Sequence, residues 1–122
     1  MLASPVQRFA IANCLAMLPQ LLLVYVFSQG DSTFILLVLL WNMAPIVTSS
    51  IFFVAGARPA AWGWLVAVAL WETWTAISVV ASHSSSASLG FMWAPIWSFT
   101  LVGPIGAGIA LLHVRRQRIE KR

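Results

Sequence analysis

The sequence predicts an all-α integral membrane protein, a four-transmembrane-helix bundle with short loops and both termini cytoplasmic. Of its 122 residues, 61% are hydrophobic and only 8% are charged, whereas about 25% are charged in an ordinary soluble domain. A soluble domain of this length cannot bury so much apolar surface, and a disordered chain has the opposite composition. The chain is therefore expected to form a single membrane domain over residues 1–122.

Four long apolar stretches predict the four helices. Each is long enough to cross the hydrocarbon core, which takes about 20 helical residues, and none shows the alternation of a barrel strand. The predicted helices cover about residues 9–27, 33–55, 60–81 and 89–114. The connections are short and polar. Asp31 or Ser32 is placed to cap the second helix, and Pro59 suits the first turn of the third.

The positive charges predict the orientation of the bundle. Arg8 precedes the first predicted helix, Arg58 lies between the second and third, and a basic tail follows the fourth over residues 115–122. With four spans these segments share one side, and the loops on the other side hold no Lys or Arg. The positive-inside rule therefore places both termini in the cytoplasm. We expect a plasma membrane location, by default a bacterial inner membrane.

The basic tail is expected to contact lipid or a protein partner. Such a cluster beside a membrane span usually sets topology or binds anionic headgroups, so it does not indicate a nucleic-acid partner. Its cations are Arg115, Arg116, Arg118, Lys121 and Arg122.

An acidic residue near the middle of the third predicted helix is the most informative side chain. Glu72 has no Lys or Arg within any predicted span to pair with, and an acidic group at the bilayer centre costs about 2.5 to 3.5 kcal/mol on insertion scales. We therefore expect it to face the protein interior, where desolvation favours the neutral carboxyl. The residues three and four positions away are mostly small, and Trp71 and Trp74 flank this face.

Every predicted helix carries a polar residue at about the depth of Glu72. Polar groups in lipid need partners, so we expect a polar layer at the midplane that serves either as helix-to-helix glue or as a proton and substrate site. Prolines at similar depth can free backbone carbonyls there. The candidate site is Glu72, Asn42, Gln20 and Thr75, with Ser98 and Thr100 at that depth in the fourth helix.

The fourth predicted helix contains small-x-x-x-small pairs, which allow helices to approach closely within one chain or between copies. The pairs are Gly103 with Ala107 and Gly106 with Ala110. Besides the lipid bilayer, a second copy of the chain or another membrane protein is therefore an expected partner.

The remaining reactive side chains do not predict catalysis, a metal or a cofactor. Cys14 is the only cysteine, so it cannot form an internal disulfide, and its apolar surroundings indicate a small packing residue. His83 and His113 are expected on opposite sides of the membrane, about 30 Å apart, too far to share a metal. The sequence shows no Ser/His/Asp set and no metal-binding cluster. We therefore expect a protein that is not an enzyme.

In size, helix number and possession of one intramembrane glutamate, the chain resembles the small multidrug resistance transporters in outline. The essential glutamate of that family lies in the first helix. Here the first helix carries Gln20, and the membrane glutamate, Glu72, lies in the third. The resemblance therefore carries over no residue.

Three functions are open from the sequence. We favour a non-enzymatic accessory or assembly protein, because no feature specific to a substrate is visible. The alternative is a small proton-coupled transporter or channel that uses Glu72. A third function, a pore-forming holin-like protein, also fits the small size and the basic tail.

Overall fold

The computed structural model describes residues 4–26, 32–82 and 89–122, and the regular structure in these ranges is entirely helical. The elements are α1 (Pro5–Val26), α2 (Ser32–Val54), α3 (Arg58–Ser82), α4 (Leu89–Trp97), a π-helical segment (Ser98–Val102) and α5 (Gly103–Glu120). The last three follow one another without a break and are together called the fourth helix. Asp31 and His83, both assigned to loops by the sequence, lie outside the described residues.

A capping box starts α1 earlier than the apolar pattern predicts. The Gln7 backbone N–H donates to the Ser4 hydroxyl at 3.2 Å, and the Ser4 backbone N–H donates to the Gln7 side-chain oxygen at 2.9 Å. Pro5 occupies the first helical position, where its missing N–H costs nothing. The prediction began the helix at its apolar run and overlooked this local signal.

A tight turn at Gly56 joins α2 and α3 as a hairpin. Gly56 has a φ of +92°, and the Ala57 and Gly56 N–H groups donate to the Phe52 and Phe53 carbonyls at 3.0 and 3.1 Å. This is a Schellman ending, in which glycine takes the left-handed position because it has no Cβ. The predicted place of Pro59, in the first turn of α3, agrees with the observed start of that helix.

The central helix of the fold is α3, which contacts α1, α2 and every part of the fourth helix, most extensively α5. Its crossing with α5 is set by glycines. A Cβ added at Gly63 would lie 2.7 Å from the Cβ of Ala110, and one added at Gly106 would lie 2.5 Å from the Cβ of Ala67. Each would also overlap the backbone of the opposite glycine. The two helix backbones therefore touch at this crossing.

The apolar core lies near the α2–α3 turn and has an aromatic centre. The Phe9 and Phe53 rings stack with centroids 4.3 Å apart, and Trp62 meets Phe9 edge-on at 5.1 Å. Such pairs contribute about 0.5 to 1.5 kcal/mol beyond their area, so they hold α1 against the hairpin. Besides Phe9 and Phe53, the buried members of this core are Ile46, Ala60, Ala61, Trp64, Leu65, Val68 and Ala107.

The fourth helix is longer than predicted. It ends at Glu120 rather than near residue 114, so most of the basic tail is helical. Arg and Gln are good helix formers, and the Gln117 side chain lies 3.1 Å from Nε2 of His113, one turn earlier. The prediction stopped where the apolar run stops, but a helix can continue through polar residues.

Two described helical stretches are long and apolar enough to cross a membrane. They are Leu36–Val54 in α2 and Trp93–Glu120 in the fourth helix. Within the described residues, α1 and α3 are not among them.

Candidate functional site

The candidate site is centred on Glu72, which α3 holds inside the bundle. The side chain is only 1% exposed. Gln20 of α1, also buried, donates its amide Nε2 to Oε2 of Glu72 at 3.2 Å. The structure thus joins two of the predicted site residues by a direct hydrogen bond between helices far apart in sequence.

Asn42 of α2 is the third buried member of the layer, and it is 2% exposed. Its Nδ2 donates to the Val38 carbonyl of its own helix at 2.9 Å. Its Oδ1 is buried without a hydrogen-bond partner among the described residues, as is Oε1 of Glu72. The layer therefore contains two unpartnered acceptors.

The register of α1 against α2 places Asn42 at the depth of Gln20. Phe9 stacks on Phe53, and further along α1 the Ser49 hydroxyl of α2 lies 3.4 Å from Oδ1 of Asn13. The helices are therefore antiparallel. Two further turns, or about seven residues, lead from Asn13 to Gln20 on α1 and from Ser49 back to Asn42 on α2. Glu72 is bonded to Gln20, so all three residues share one level.

One polar contact between α1 and α2, that of Asn13 with Ser49, was not predicted from the sequence; we call it the Asn13–Ser49 rung. Both residues are buried; Asn13 donates Nδ2 to the Phe9 carbonyl at 3.1 Å, and Ser49 donates to the Ile46 carbonyl at 2.6 Å. The Ser50 hydroxyl lies 3.4 Å from Oδ1 of Asn13. The available signal was the spacing of seven that separates Asn13 from Gln20, which places both on one face of a helix.

The hydroxyls of Thr75, a predicted site residue, and of Thr100, predicted at the same depth, each donate to a carbonyl of their own helix. The Thr75 hydroxyl, half-buried, donates to the Trp71 carbonyl of its own helix at 2.9 Å. Thr100 is exposed and donates to the Ile96 carbonyl at 2.7 Å, so its expected place in the layer is wrong. Threonine in a helix often bonds the carbonyl one turn back, and that bond occupies the donor of each residue.

Two tryptophans of α3 bind carbonyls beside buried prolines in the neighbouring helices. Trp64 donates its indole N–H to the Pro45 carbonyl of α2 at 2.8 Å. Trp71 donates to the Ala94 carbonyl, next to Pro95 in α4, at 3.2 Å. These are not the carbonyls that the prolines free, because a proline lacks the N–H that would bond the carbonyl four residues earlier. Nothing in the sequence predicted these two indole hydrogen bonds.

The fourth helix widens into a π-helical segment beside this layer. The Gly103 N–H donates to the Ser98 carbonyl, five residues earlier. Ser98 is fully buried and donates its hydroxyl to the Ala94 carbonyl at 2.9 Å, the carbonyl that Trp71 also uses. π-helical turns are frequent at functional sites. No pattern in the sequence signalled this one.

Other predicted features lie outside the layer. Trp74, expected to flank the inner face, is 66% exposed, and Cys14, expected to pack internally, is also exposed. Both sit on outward-facing positions of their helices, where a membrane would surround them with lipid. No group of three or more His, Cys, Asp or Glu residues able to hold a metal occurs among the described residues.

The small residues and the basic residues of the fourth helix lie in different surroundings. Gly103 and Ala107 are buried, and Gly106 and Ala110 meet Gly63 at the crossing with α3. The five tail cations are all exposed at the far end of the chain: Arg115, Arg116, Arg118, Lys121 and Arg122.

Comparison of the chain with family models, with curated proteins and with solved structures found no match. Fold and site together define a small all-helical protein in which two helices could span a membrane.

Proposed function

We propose that the chain is a four-span membrane protein with both termini in the cytoplasm, located by default in a bacterial inner membrane. The two apolar stretches support this placement, because only 28% and 17% of their residues are buried, whereas the core helix of a soluble protein is mostly buried. A bundle with apolar residues outside and polar residues inside is suited to lipid.

The outer faces of α1 and α3 extend the same pattern. Exposed large apolar side chains recur at helical spacing as Ile11, Leu15 and Leu18 on α1 and as Val66, Leu70 and Ile77 on α3. The inner faces of these helices carry Gln20 and Glu72. The apolar stretches at 9–27 and 60–81 are also long enough to span.

For its role we propose a non-enzymatic accessory or assembly protein. The observation that carries this proposal is the direct contact of the α3 and α5 backbones at Gly63 and Gly106, which leaves no opening between these two helices at their crossing. The outer apolar surface and the exposed basic end of α5 then serve as contact surfaces for lipid, a second copy or a membrane-protein partner.

Photo-crosslinking in native membranes tests this role. A crosslinking residue replaces Ile109, exposed on α5, or Val66, exposed on α3. We expect one of these faces to give a discrete protein adduct of reproducible mass, while the other, as the matched control, gives lipid adducts. Lipid adducts alone from both faces would contradict the accessory role.

A small proton-coupled transporter or channel is the second candidate, and the unpartnered Oε1 of Glu72 favours it. Reconstituted vesicles loaded with a pH-sensitive dye test it. If the chain is such a transporter, a folded Glu72→Gln variant loses proton movement across the vesicle membrane. Thr100→Val, altered at an exposed position, keeps that movement. Equal proton movement by wild type and Glu72→Gln would reject the transporter.

A further inference from the structure

Two buried oxygens in the polar layer need a hydrogen-bond donor. Oε1 of Glu72 and Oδ1 of Asn42 have no hydrogen-bond partner among the described residues, and both side chains are almost fully buried. Unpartnered buried polar atoms are rare in folded proteins, and each calls for an explanation. Both atoms are acceptors, so neither can satisfy the other as they stand.

Each of the following donor atoms around the layer bonds another acceptor, and none of them is a hydrogen-bond partner of either oxygen. Gln20 donates to the other carboxyl oxygen of Glu72, and the amide nitrogen of Asn42 donates to its own helix. The Trp71 indole and the Ser98 hydroxyl share the Ala94 carbonyl. A partner for these two oxygens must therefore bring its own hydrogen or a positive charge.

Among the residues that the structure describes, no charged side chain is placed to supply that charge. Between Phe9 and Val54, and again between Pro59 and His113, the described residues include no Lys, Arg or Asp, and Glu72 is the only acidic one. Cys14 is exposed on the outside of α1. Arg8 and Arg58 lie in the first turns of α1 and α3, and the tail cations lie at the end of α5, each at least three helical turns along its helix from the layer.

We infer that Glu72 and Asn42 form a proton-binding site, in which a proton on Oε1 of Glu72 is donated to Oδ1 of Asn42 directly or through one water. One proton turns an acceptor into a donor and removes the charge, so a single O–H···O bond satisfies both oxygens. The shared depth of the two residues supports the pairing. The inference rests on the proposed four-span placement. It applies to both roles, since the bond is permanent in an accessory protein and exchangeable in a carrier.

Infrared spectroscopy of the protein in lipid bilayers at pH 7 tests the site. We expect a protonated carboxyl band that shifts in D₂O and is lost in Glu72→Gln. Asn42→Leu should raise the frequency of this band, because the carboxyl loses its acceptor. Asn13→Leu, a matched change in the Asn13–Ser49 rung, should leave it in place. A wild-type spectrum with ionised carboxylates only, or an unmoved band in Asn42→Leu, would overturn the inference.

Exchanging the acid and the amide between positions 72 and 42 gives a second test that does not depend on the folding of the single variants. The double variant Glu72→Gln with Asn42→Asp keeps one acid and one amide at the site, so the protonated band should return. If the protonated carboxyl band stays absent in a folded double variant, the pairing of residues 72 and 42 is contradicted. A band that disappears when Na⁺ replaces choline would assign the site to a metal cation instead. Reporter fusions to both termini test the four-span placement separately. A failure of that placement is therefore distinguishable from a failure of the proton-binding site.

Discussion

Trp64 of α3 donates its indole N–H to the backbone carbonyl of Pro45 in α2, with 2.8 Å between nitrogen and oxygen. Its ring also lies against Gly103 of the fourth helix, where an added Cβ would approach the indole to 2.6 Å. One side chain thus links three helices, by a hydrogen bond from the edge of its ring and by close packing of its ring atoms against Gly103.

Replacing Trp64 with Phe should destabilise the bundle by about 1 to 2 kcal/mol, because a buried carbonyl loses its donor. Trp93→Phe is the matched control, since Trp93 is exposed and should change stability little. Unfolding of the reconstituted proteins by steric trapping measures the difference. Equal stabilities for the two variants would show that the indole hydrogen bond contributes nothing.

Gly106→Ala should weaken the crossing of α3 and α5 by about 1 to 3 kcal/mol, because the new methyl group forces touching backbones apart. Gly108→Ala makes the same chemical change on the same helix, where nothing lies within 4 Å of the added Cβ. That control should be neutral or slightly stabilising. Detergent-induced unfolding compares the pair, and a larger loss in the control would refute the crossing.

Gly56→Ala should cost about 1 to 2 kcal/mol for a different reason. An added Cβ meets no atom within 4 Å, but the φ of +92° is unfavourable for a residue with a side chain. Gly56→Asn should recover part of the loss, since asparagine tolerates the left-handed region. The free energies of unfolding decide this, and an Asn variant less stable than the Ala variant would contradict a backbone origin.

A fluorescent protein fused after Arg122 should fold and fluoresce, because the proposed topology keeps the C-terminus in the cytoplasm. A periplasmic phosphatase at the same position should be inactive. Changing the five tail cations to Gln should lower the share of correctly oriented molecules, since Lys and Arg set orientation. Active phosphatase on the wild-type chain would reverse the topology.

Local patterns accounted for much of the helical framework. Apolar runs predicted the four helical regions, and Pro59 marked the first turn of α3. The errors in this framework fell at helix ends, which are set by capping residues and helix-forming polar residues rather than by the apolar pattern. The capping box at Ser4 and Gln7 extends α1, and helix-forming polar residues carry α5 through Gln117.

The sequence by itself determined the strongly apolar composition, the helical framework and the absence of Lys and Arg from the long apolar stretches. Those properties depend on residue type and on neighbours along the chain. The tertiary structure decided which side chains meet: Gln20 with Glu72, Asn13 with Ser49, and Trp64 with Pro45. It also turned Thr100 outward. Such pairings depend on the rotation and register of whole helices, which are set by contacts between residues distant in sequence, such as Gly63 and Gly106.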